Sequence, residues 1–135
     1  MIWYGKNYSG FELDYDLSIN KRQFFYGVEP RAELIKKQKR AIIGNDVWLG
    51  KNVIVVNSSN IGNGVIAGAG AVITRDIPDY AVVGGVPARI IKYRYNQEQI
   101  KALNTISWWN WSDDEIRERY NDFYLPIDAF IRKYI

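Results

Sequence analysis

The chain has 135 residues, 47% of them hydrophobic, and its 18 basic and 15 acidic side chains leave a formal net charge of +3. It contains no cysteine and no histidine, which excludes disulfides, zinc fingers, thiol nucleophiles and serine–histidine–aspartate triads built from this chain alone. The charge excess is too small to indicate a nucleic-acid partner. We therefore expect a single domain over residues 1–135, with no metal site and no nucleic-acid partner.

The sequence carries no signal for a membrane. No run approaches the roughly 20 apolar residues of a membrane span. The first residues lack the basic region and the long apolar run of a signal peptide. We expect a cytoplasmic protein with no membrane association.

The first 40 residues combine one alternating segment with one irregular segment. Residues 11–19 alternate apolar and polar side chains, which predicts a half-buried strand. The following residues lose this periodicity, and a short helix is expected near 32–36. A basic cluster there is either a solvated loop face or a contact for a polyanion or a phosphate-bearing cofactor; it consists of Arg31, Lys36, Lys37, Lys39 and Arg40.

From residue 43 to residue 78 the sequence repeats in blocks of six. Internal repeats of this kind determine the architecture of a chain. The first position of each block is aliphatic, the second is often glycine, and the fifth is small or aliphatic. The first positions are Ile43, Leu49, Val55, Ile61, Ala67 and Ile73, and the fifth positions are Val47, Val53, Ser59, Val65, Ala71 and Ile77.

This period predicts a coil with three flat sides. Three blocks would make one turn, and each turn would rise by one strand spacing of about 4.8 Å. First-position side chains are expected to point into the coil, while the small fifth-position residues let the corners close. The second-position glycines are expected to adopt the backbone conformation of a tight corner. An α-helix is excluded here because it requires a period of 3.6 residues and few glycines.

The repeat is followed by a segment that resembles a partial last turn, over residues 79–94. Residues 80–83 are typical of a strand, Gly84 and Gly85 of a turn, and residues 86–92 are expected to lead out of the coil. Asn96 with Gln99 then predicts a helix N-cap.

A second capping box, Ser112-Asp113-Asp114-Glu115, predicts the start of another helix. Ile116, Tyr120 and Phe123 have the spacing of one face of that helix. A last short helix is expected from Pro126.

Four motifs resemble the hexapeptide-repeat acyltransferases, and most closely the xenobiotic acetyltransferase branch that modifies chloramphenicol or streptogramin antibiotics. The resemblance implies a mainly β fold: a short left-handed parallel β-helix of about two to three coils, with C-terminal α-helices. The left hand follows from the resemblance alone, because parallel crossovers are generally right-handed. The β-helix would cover residues 41–95 and the helices 96–135, after an atypical stretch over 1–40. The motifs are residues 43–50, 67–78, 84–95 and 108–111.

Members of this family are homotrimers that bind acetyl-CoA in a groove between neighbouring β-helices. The resemblance therefore implies an acetyl-CoA-dependent O-acetyltransferase, with a small sugar or antibiotic-like molecule as the hydroxyl acceptor. The implied contacts are Trp48 at the acetyl and acceptor end, Lys51, Gly68 and Ala69 beside the pantetheine arm, Thr74 and Arg75 further along, and Arg89 and Lys92 at the phosphates.

Five of these residues also have an explanation without a cofactor. Packing between coils would account for Gly68 and Ala69. Trp48 could be an aromatic of the subunit interface, and Arg89 and Lys92 could be solvated charges.

The sequence departs from the family in two ways. It has no residue that matches the family's catalytic histidine, and several coils that precede the motif at 43–50 in the family are absent from it. A positioned general base contributes about 10²–10⁴-fold, so slow transfer could survive without one. No catalytic residue is assigned. The alternative is a catalytically inactive trimer, truncated or degenerate, that binds CoA or a protein partner; a third hypothesis is a polyanion-binding module that uses the basic cluster.

Overall fold

The computed structural model describes residues 2–4, 40–56 and 58–135, with the backbone alone for residues 2–4. The strand predicted over 11–19, the helix predicted near 32–36 and the basic cluster up to Lys39 lie outside these residues. The strands are β1 Ile2–Tyr4, β2 Ile42–Ile43, β3 Val47–Leu49, β4 Ile54–Val55, β5 Asn60–Ile61, β6 Ile66–Ala67, β7 Val72–Ile73, β8 Ala81–Gly84 and β9 Arg89–Tyr93. The α-helices are α1 Gln97–Ile106, α2 Asp113–Glu118 and α3 Ile127–Tyr134, with 3-10 helices at Trp108–Asn110 and Tyr120–Tyr124.

Strands that are one turn apart pair in parallel and form the three sides of a coil. The first side is β2 on β5, the second contains β3 on β6, and the third is β4 on β7. Equivalent residues such as Asn45 and Asn63 are 18 positions apart, which corresponds to three blocks of six. The three-sided coil predicted from the repeat is confirmed, while its hand and its number of turns stay predictions.

Apolar side chains from the first repeat positions fill the coil, as predicted, and those from the fifth positions also point into it. Val47, Val65, Ala67, Ala71 and Ile73 are 0% exposed. The first-coil side chains Ile43, Val53 and Val55 are partly buried and pack against this core.

The second-position glycines allow close contact between successive coils. A Cβ on Gly44 would lie 2.8 Å from the carbonyl carbon of Gly62, and one on Gly50 would lie 2.6 Å from the amide nitrogen of Ala69. Neither Gly44 nor Gly50 has a positive φ. The expectation that these glycines adopt a special corner conformation is therefore wrong, because steric contact with the next coil is the reason for them.

The residues that turn the corners occupy the fourth position of the first five blocks. Asp46, Asn52, Ser58, Gly64 and Gly70 have φ values of 55°, 60°, 71°, 67° and 74°. This left-handed region favours glycine, and asparagine and aspartate enter it more readily than other side chains. The corners thus depend on a repeat position that the sequence pattern did not single out.

The sixth block is two residues shorter than the others. Ile77 pairs with Ile61, and the backbone of Asn63 bonds to the side chain of Asp79, 16 positions later instead of 18. Ile77 therefore takes a first position, and its predicted fifth position is wrong. Tyr80 in turn takes the corner position below Gly64, with φ 56°.

Two antiparallel strands flank the second side of the coil. β8 continues the parallel ladder below β6, β9 returns antiparallel to β8, and β1 pairs antiparallel with β3 at the opposite edge. The segment predicted to lead out of the coil thus forms a fifth strand, and Gly84 belongs to β8 instead of the turn. Every residue of β9 is exposed.

Both predicted capping boxes begin helices. Asn96 exchanges hydrogen bonds with Gln99 at the start of α1, and Ser112 does so with Glu115 at the start of α2. These contacts satisfy backbone N–H groups that have no partner inside the helix. The last predicted helix is also present as α3, which begins directly after Pro126.

α2 is shorter than the sequence pattern predicts. It ends at Glu118, and Tyr120 and Phe123 lie in the 3-10 helix that follows. The chain turns at Arg119, whose guanidinium lies 4.5 Å from the centre of the Trp111 ring and pairs with Glu115.

The helices pack beside the coil through a second apolar cluster. Tyr80, Ile100, Leu103 and Phe130 are its buried members. This cluster joins α1 and α3 to the corner of the coil at Tyr80. In the part of the chain that the structure describes, no helix has the length and hydropathy needed to cross a membrane.

Ser59 provides a test of the core. It is 1% exposed, and its hydroxyl has no hydrogen-bond partner among the described residues. Ser59→Ala should raise the free energy of unfolding by about 1 kcal/mol, because an unsatisfied buried hydroxyl is costly. The control Val65→Ala should lower it by about 2 kcal/mol through lost burial and a new cavity. Urea unfolding of the three proteins measures both effects, and a loss on Ser59→Ala would contradict the expectation.

Candidate functional site

Two of the residues that the resemblance assigns to the cofactor lie on the second side of the coil. Trp48 pairs with Ile66, Ile66 with Val82, and Val82 with Lys92. Trp48 and Lys92 therefore share one row across the sheet, about 14 Å apart for three strand spacings. Trp48 is half-buried and Lys92 is exposed.

Four further residues meet at the corner between the second and third sides. The N–H of Gly70 donates to the carbonyl of Lys51 at 2.9 Å, and the N–H of Gly68 donates to that of Val83 at 2.8 Å. Lys51, Gly68 and Ala69 thus stack in adjacent coils. Arg89 lies directly beyond them, opposite Gly84 in the β8–β9 ladder. We call Lys51, Gly68, Ala69 and Arg89 the glycine corner.

Thr74 and Arg75 lie elsewhere on the coil. They follow β7, at the corner between the third and first sides, and both are exposed. The eight predicted residues therefore run along the surface from the second side to the far end of the third. The groove shared with a neighbouring subunit stays a prediction.

A part-buried ion pair at another corner of the coil does not involve any of the residues predicted from the sequence. Nη1 of Arg94 donates to Oδ2 of Asp46 at 3.1 Å and to the carbonyl of Gly64 at 2.8 Å. Its guanidinium lies over the rings of Tyr80 and Tyr95, 5.4 and 5.3 Å from their centres. Arg94 thus links successive coils to the helical segment, and we call Asp46, Tyr80, Arg94 and Tyr95 the arginine cluster.

Burial changes the acid–base properties of this cluster. Burial raises the pKa of Asp46 above its usual value, although the neighbouring Arg94 opposes that change. Burial, together with the Asp46 carboxylate, raises the pKa of Tyr80 well above that of a free phenol. Tyr80 is therefore protonated at neutral pH and is a hydrogen-bond donor.

Side-chain amides and a carboxylate form a ladder next to the arginine cluster. The N–H of Asn45 donates to Oδ1 of Asn63, and the N–H of Asn63 donates to Oδ1 of Asp79, both at 2.8 Å. Nδ2 of Asn104 in α1 donates to the other oxygen of Asp79 at 2.7 Å. The ladder thus fixes α1 to the coil.

A cavity of about 560 Å³ opens between the arginine cluster and the C-terminal segment. Its walls include Trp108, Ile116 and Phe123. None of the eight predicted cofactor residues lines it. In the described ranges, no group of three histidine, cysteine or acidic side chains is placed to hold a metal ion.

Comparison with known proteins identifies relatives of the coil and its flanking segments. The chain is 39% identical over 99 residues to a chloramphenicol acetyltransferase of Klebsiella aerogenes, a match that covers 70% of this chain and 47% of the relative. The chain is a relative of the hexapeptide-repeat acetyltransferases. It is also 44% identical over 50 residues to a galactoside O-acetyltransferase of Escherichia coli K12, which covers 37% of this chain and 25% of that relative. No protein-family model matches the chain.

Solved structures of hexapeptide-repeat acetyltransferases match a smaller part. A galactoside acetyltransferase in complex with coenzyme A is 36% identical, covering 45% of this chain and 30% of that one, with a TM-score of 0.42. A hexapeptide-repeat acetyltransferase of Vibrio cholerae is likewise 36% identical, over 43% of this chain and 33% of that one, also with a TM-score of 0.42.

The chain spans about half the length of the chloramphenicol acetyltransferases that it matches. The sequence comparison confirms the family resemblance inferred from the four motifs. The roles of the eight cofactor residues stay predictions. Sequence reasoning missed the arginine cluster, although Asp46, Arg94 and Tyr95 all belong to the motifs that carried the resemblance.

Proposed function

We propose that this protein transfers an acetyl group from acetyl-CoA to a hydroxyl of a small sugar or antibiotic-like acceptor, as a homotrimer of left-handed coils. The names of the relatives, chloramphenicol acetyltransferase and galactoside O-acetyltransferase, support this reaction class. In the reaction the acceptor oxygen attacks the thioester carbonyl, the acetyl group moves to that oxygen, and CoA leaves as its thiol after gaining the hydroxyl proton.

The glycine corner is the observation that carries the proposal. Gly44, Gly50 and Gly62 are required by coil packing, but the nearest atom to a Cβ on Gly68 would be the carbonyl oxygen of Val83, at 3.6 Å. Packing between coils therefore leaves room for a side chain at this position. A glycine there instead lets an extended ligand approach the backbone closely.

The charges around the glycine corner suit the two ends of acetyl-CoA. Lys51 is exposed directly above Ala69, and Arg89 and Lys92 are exposed on β9. These cations flank the uncharged backbone of Gly68 and Ala69. A cofactor with charged phosphates at one end and an uncharged thioester at the other would match this arrangement. Trp48, on the same sheet as Lys92, would face the acetyl end.

Among the residues that the structure describes, no side chain is placed as a general base. The sequence contains no histidine, and Asp46, a described carboxylate whose pKa is raised, is paired with Arg94. Without a positioned base, turnover is expected to be about 10²–10⁴-fold slower than with one. The zero histidine count favours a second candidate function: an inactive trimeric relative that binds CoA or a protein partner.

Acetyl-CoA titration by calorimetry tests the cofactor site. We expect binding to the unmodified protein, and we expect Arg89→Ala with Lys92→Ala to weaken it by about tenfold, because two phosphate contacts are lost. The matched control is Arg117→Ala, which removes an exposed cation of α2. Release of CoA thiol in the presence of chloramphenicol or a galactoside then separates the two functions.

The outcomes are distinct. Thiol release above background supports the transferase. Acetyl-CoA binding with no release from any hydroxylated acceptor supports the inactive relative. Absence of both binding and release would remove acetyl-CoA from the proposal altogether. An equal effect of the control variant would contradict the phosphate contacts assigned to Arg89 and Lys92.

A further inference from the structure

The cavity beside the arginine cluster has the composition of a small-molecule site, and it is separate from the predicted cofactor residues. Its volume of about 560 Å³ lies within the range of ligand pockets in proteins. Half of its lining residues are aromatic, among them Trp108 and Phe123, whose rings meet edge to face at 5.2 Å. A flat apolar molecule would replace water against these rings.

One end of the cavity is polar and carries both signs of charge. Asp46 and Arg94 line it, with 18% and 23% of their side chains exposed. Their mutual bond uses Nη1 of Arg94 and Oδ2 of Asp46, and the described residues supply no partner to Nη2 or Oδ1. The pair therefore retains one donor and one acceptor.

A second polar group at this wall also lacks a partner. The Tyr80 side chain lines the cavity and is 1% exposed, and its hydroxyl makes no hydrogen bond to the residues that the structure describes. Buried hydroxyls are normally hydrogen-bonded, but this oxygen is itself fully buried, so a ligand in the cavity would meet the ring of Tyr80 and would find its polar partners in Asp46 and Arg94.

An ion pair at the end of an apolar cavity selects against charged ligands. A carboxylate attracted by Arg94 would be repelled by Asp46, and an ammonium group would face the reverse conflict. A neutral group with a donor beside an acceptor fits both members: its oxygen accepts from Arg94 while its N–H donates to Asp46. A primary carboxamide has these two groups on one carbon.

We propose that this cavity binds a flat aromatic molecule that carries a neutral carboxamide. The aromatic ring packs against Trp108 and Phe123, and the carboxamide bonds to the Asp46–Arg94 pair. This site is independent of acetyl-CoA, so its test does not depend on the proposed transferase activity.

Fluorine NMR titration with three isosteric probes tests the proposal on the full chain. The probes are 4-(trifluoromethyl)benzamide, 4-(trifluoromethyl)benzoate and (trifluoromethyl)benzene. We expect the benzamide to bind at least about fivefold more tightly than either of the others. Asp46→Asn, which keeps the shape and suits the positive φ at this corner, should reverse the preference toward the benzoate.

A second variant separates cavity binding from surface adsorption. Ile116→Trp narrows the cavity from a half-buried position and should reduce the affinity for all three probes by about tenfold. Thermal unfolding of both variants checks that they fold. Equal binding of the three probes, or no binding of the benzamide, would overturn the proposal, as would an Asp46→Asn protein that folds but keeps the original preference.

Discussion

Arg94→Ala is expected to lower the free energy of unfolding by about 2 kcal/mol, between the cost of breaking an exposed ion pair and that of breaking a fully buried one. The substitution leaves the Asp46 carboxylate without its counter-charge at 18% exposure, and it leaves the carbonyl of Gly64 without its side-chain donor. It also removes the cation that lies over the rings of Tyr80 and Tyr95.

Arg117→Ala is the matched control for Arg94→Ala. Arg117 also pairs with an aspartate, Asp114, at 2.9 Å, but 78% and 93% of the two side chains are exposed. Exposed pairs contribute about 0–1 kcal/mol, so the control should change little. Urea unfolding at one fixed protein concentration measures both, since association of subunits would add to the apparent stability.

Arg94→Lys identifies which part of the interaction matters. Lysine keeps the charge but loses the planar group that lies over two rings and bonds two acceptors at once. We expect a loss between those of Arg117→Ala and Arg94→Ala. A loss on Arg94→Ala no larger than that of the control would contradict the role assigned to the arginine cluster.

The coil interior could be predicted from the sequence because every block meets the same surroundings. A side chain at a first position stacks on its equivalents one turn above and below, so one period determines the direction of all of them. The repeat alone therefore identified Ala67 and Ile73 as core residues, and both are fully buried.

The features that the sequence did not predict lie where the period of the repeat changes or where segments distant in the sequence meet. Ile77 is aliphatic, so it satisfies the pattern of a fifth position as well as that of a first, and only the ladder to Ile61 reveals the shortened block. Arg94 and Asp46 are 48 positions apart. Neither the repeat nor local charge patterning brings such a pair together.

The candidate site likewise contains residues that the repeat places and a cavity that it does not. Residues inside the repeat, Lys51, Gly68 and Ala69, could be placed beside one another from the period alone. The cavity could not be predicted, because its walls come from the corner of the coil and from all of the C-terminal helices, whose packing no local pattern specifies. The premature end of α2 brings Phe123 to this wall, and the sequence pattern favoured a continuous helix there.

Gly50→Ala is expected to lower the free energy of unfolding by about 3 kcal/mol, at the upper end of the usual cost of overpacking. The new Cβ would lie 2.6 Å from the amide nitrogen of Ala69 and 2.9 Å from its Cα. These are backbone atoms of the next coil, held by the ladder between β3 and β6, so they cannot move aside as a flexible side chain could.

Gly68→Ala is the matched control, because it makes the same change at the same repeat position one turn later. Its Cβ would meet only the carbonyl oxygen of Val83, at 3.6 Å, and its φ is not positive. Stability should change by about 0.5 kcal/mol or less, or rise slightly through the lower entropy of the unfolded chain. Urea unfolding of both variants is the measurement, and equal losses would contradict the steric explanation.

Gly68→Ala also distinguishes an effect on the stability of the fold from an effect on ligand binding at the glycine corner. If the extended arm of acetyl-CoA lies against this backbone, the added methyl group should weaken acetyl-CoA binding by at least about fivefold while the protein stays folded. Calorimetry on this variant measures the effect, with Gly70→Asn as the control for the corner itself, since nothing lies within 4 Å of a Cβ there and asparagine tolerates the positive φ of this position. Undiminished affinity in Gly68→Ala would mean that the second-position glycine of this block serves neither coil packing nor the cofactor.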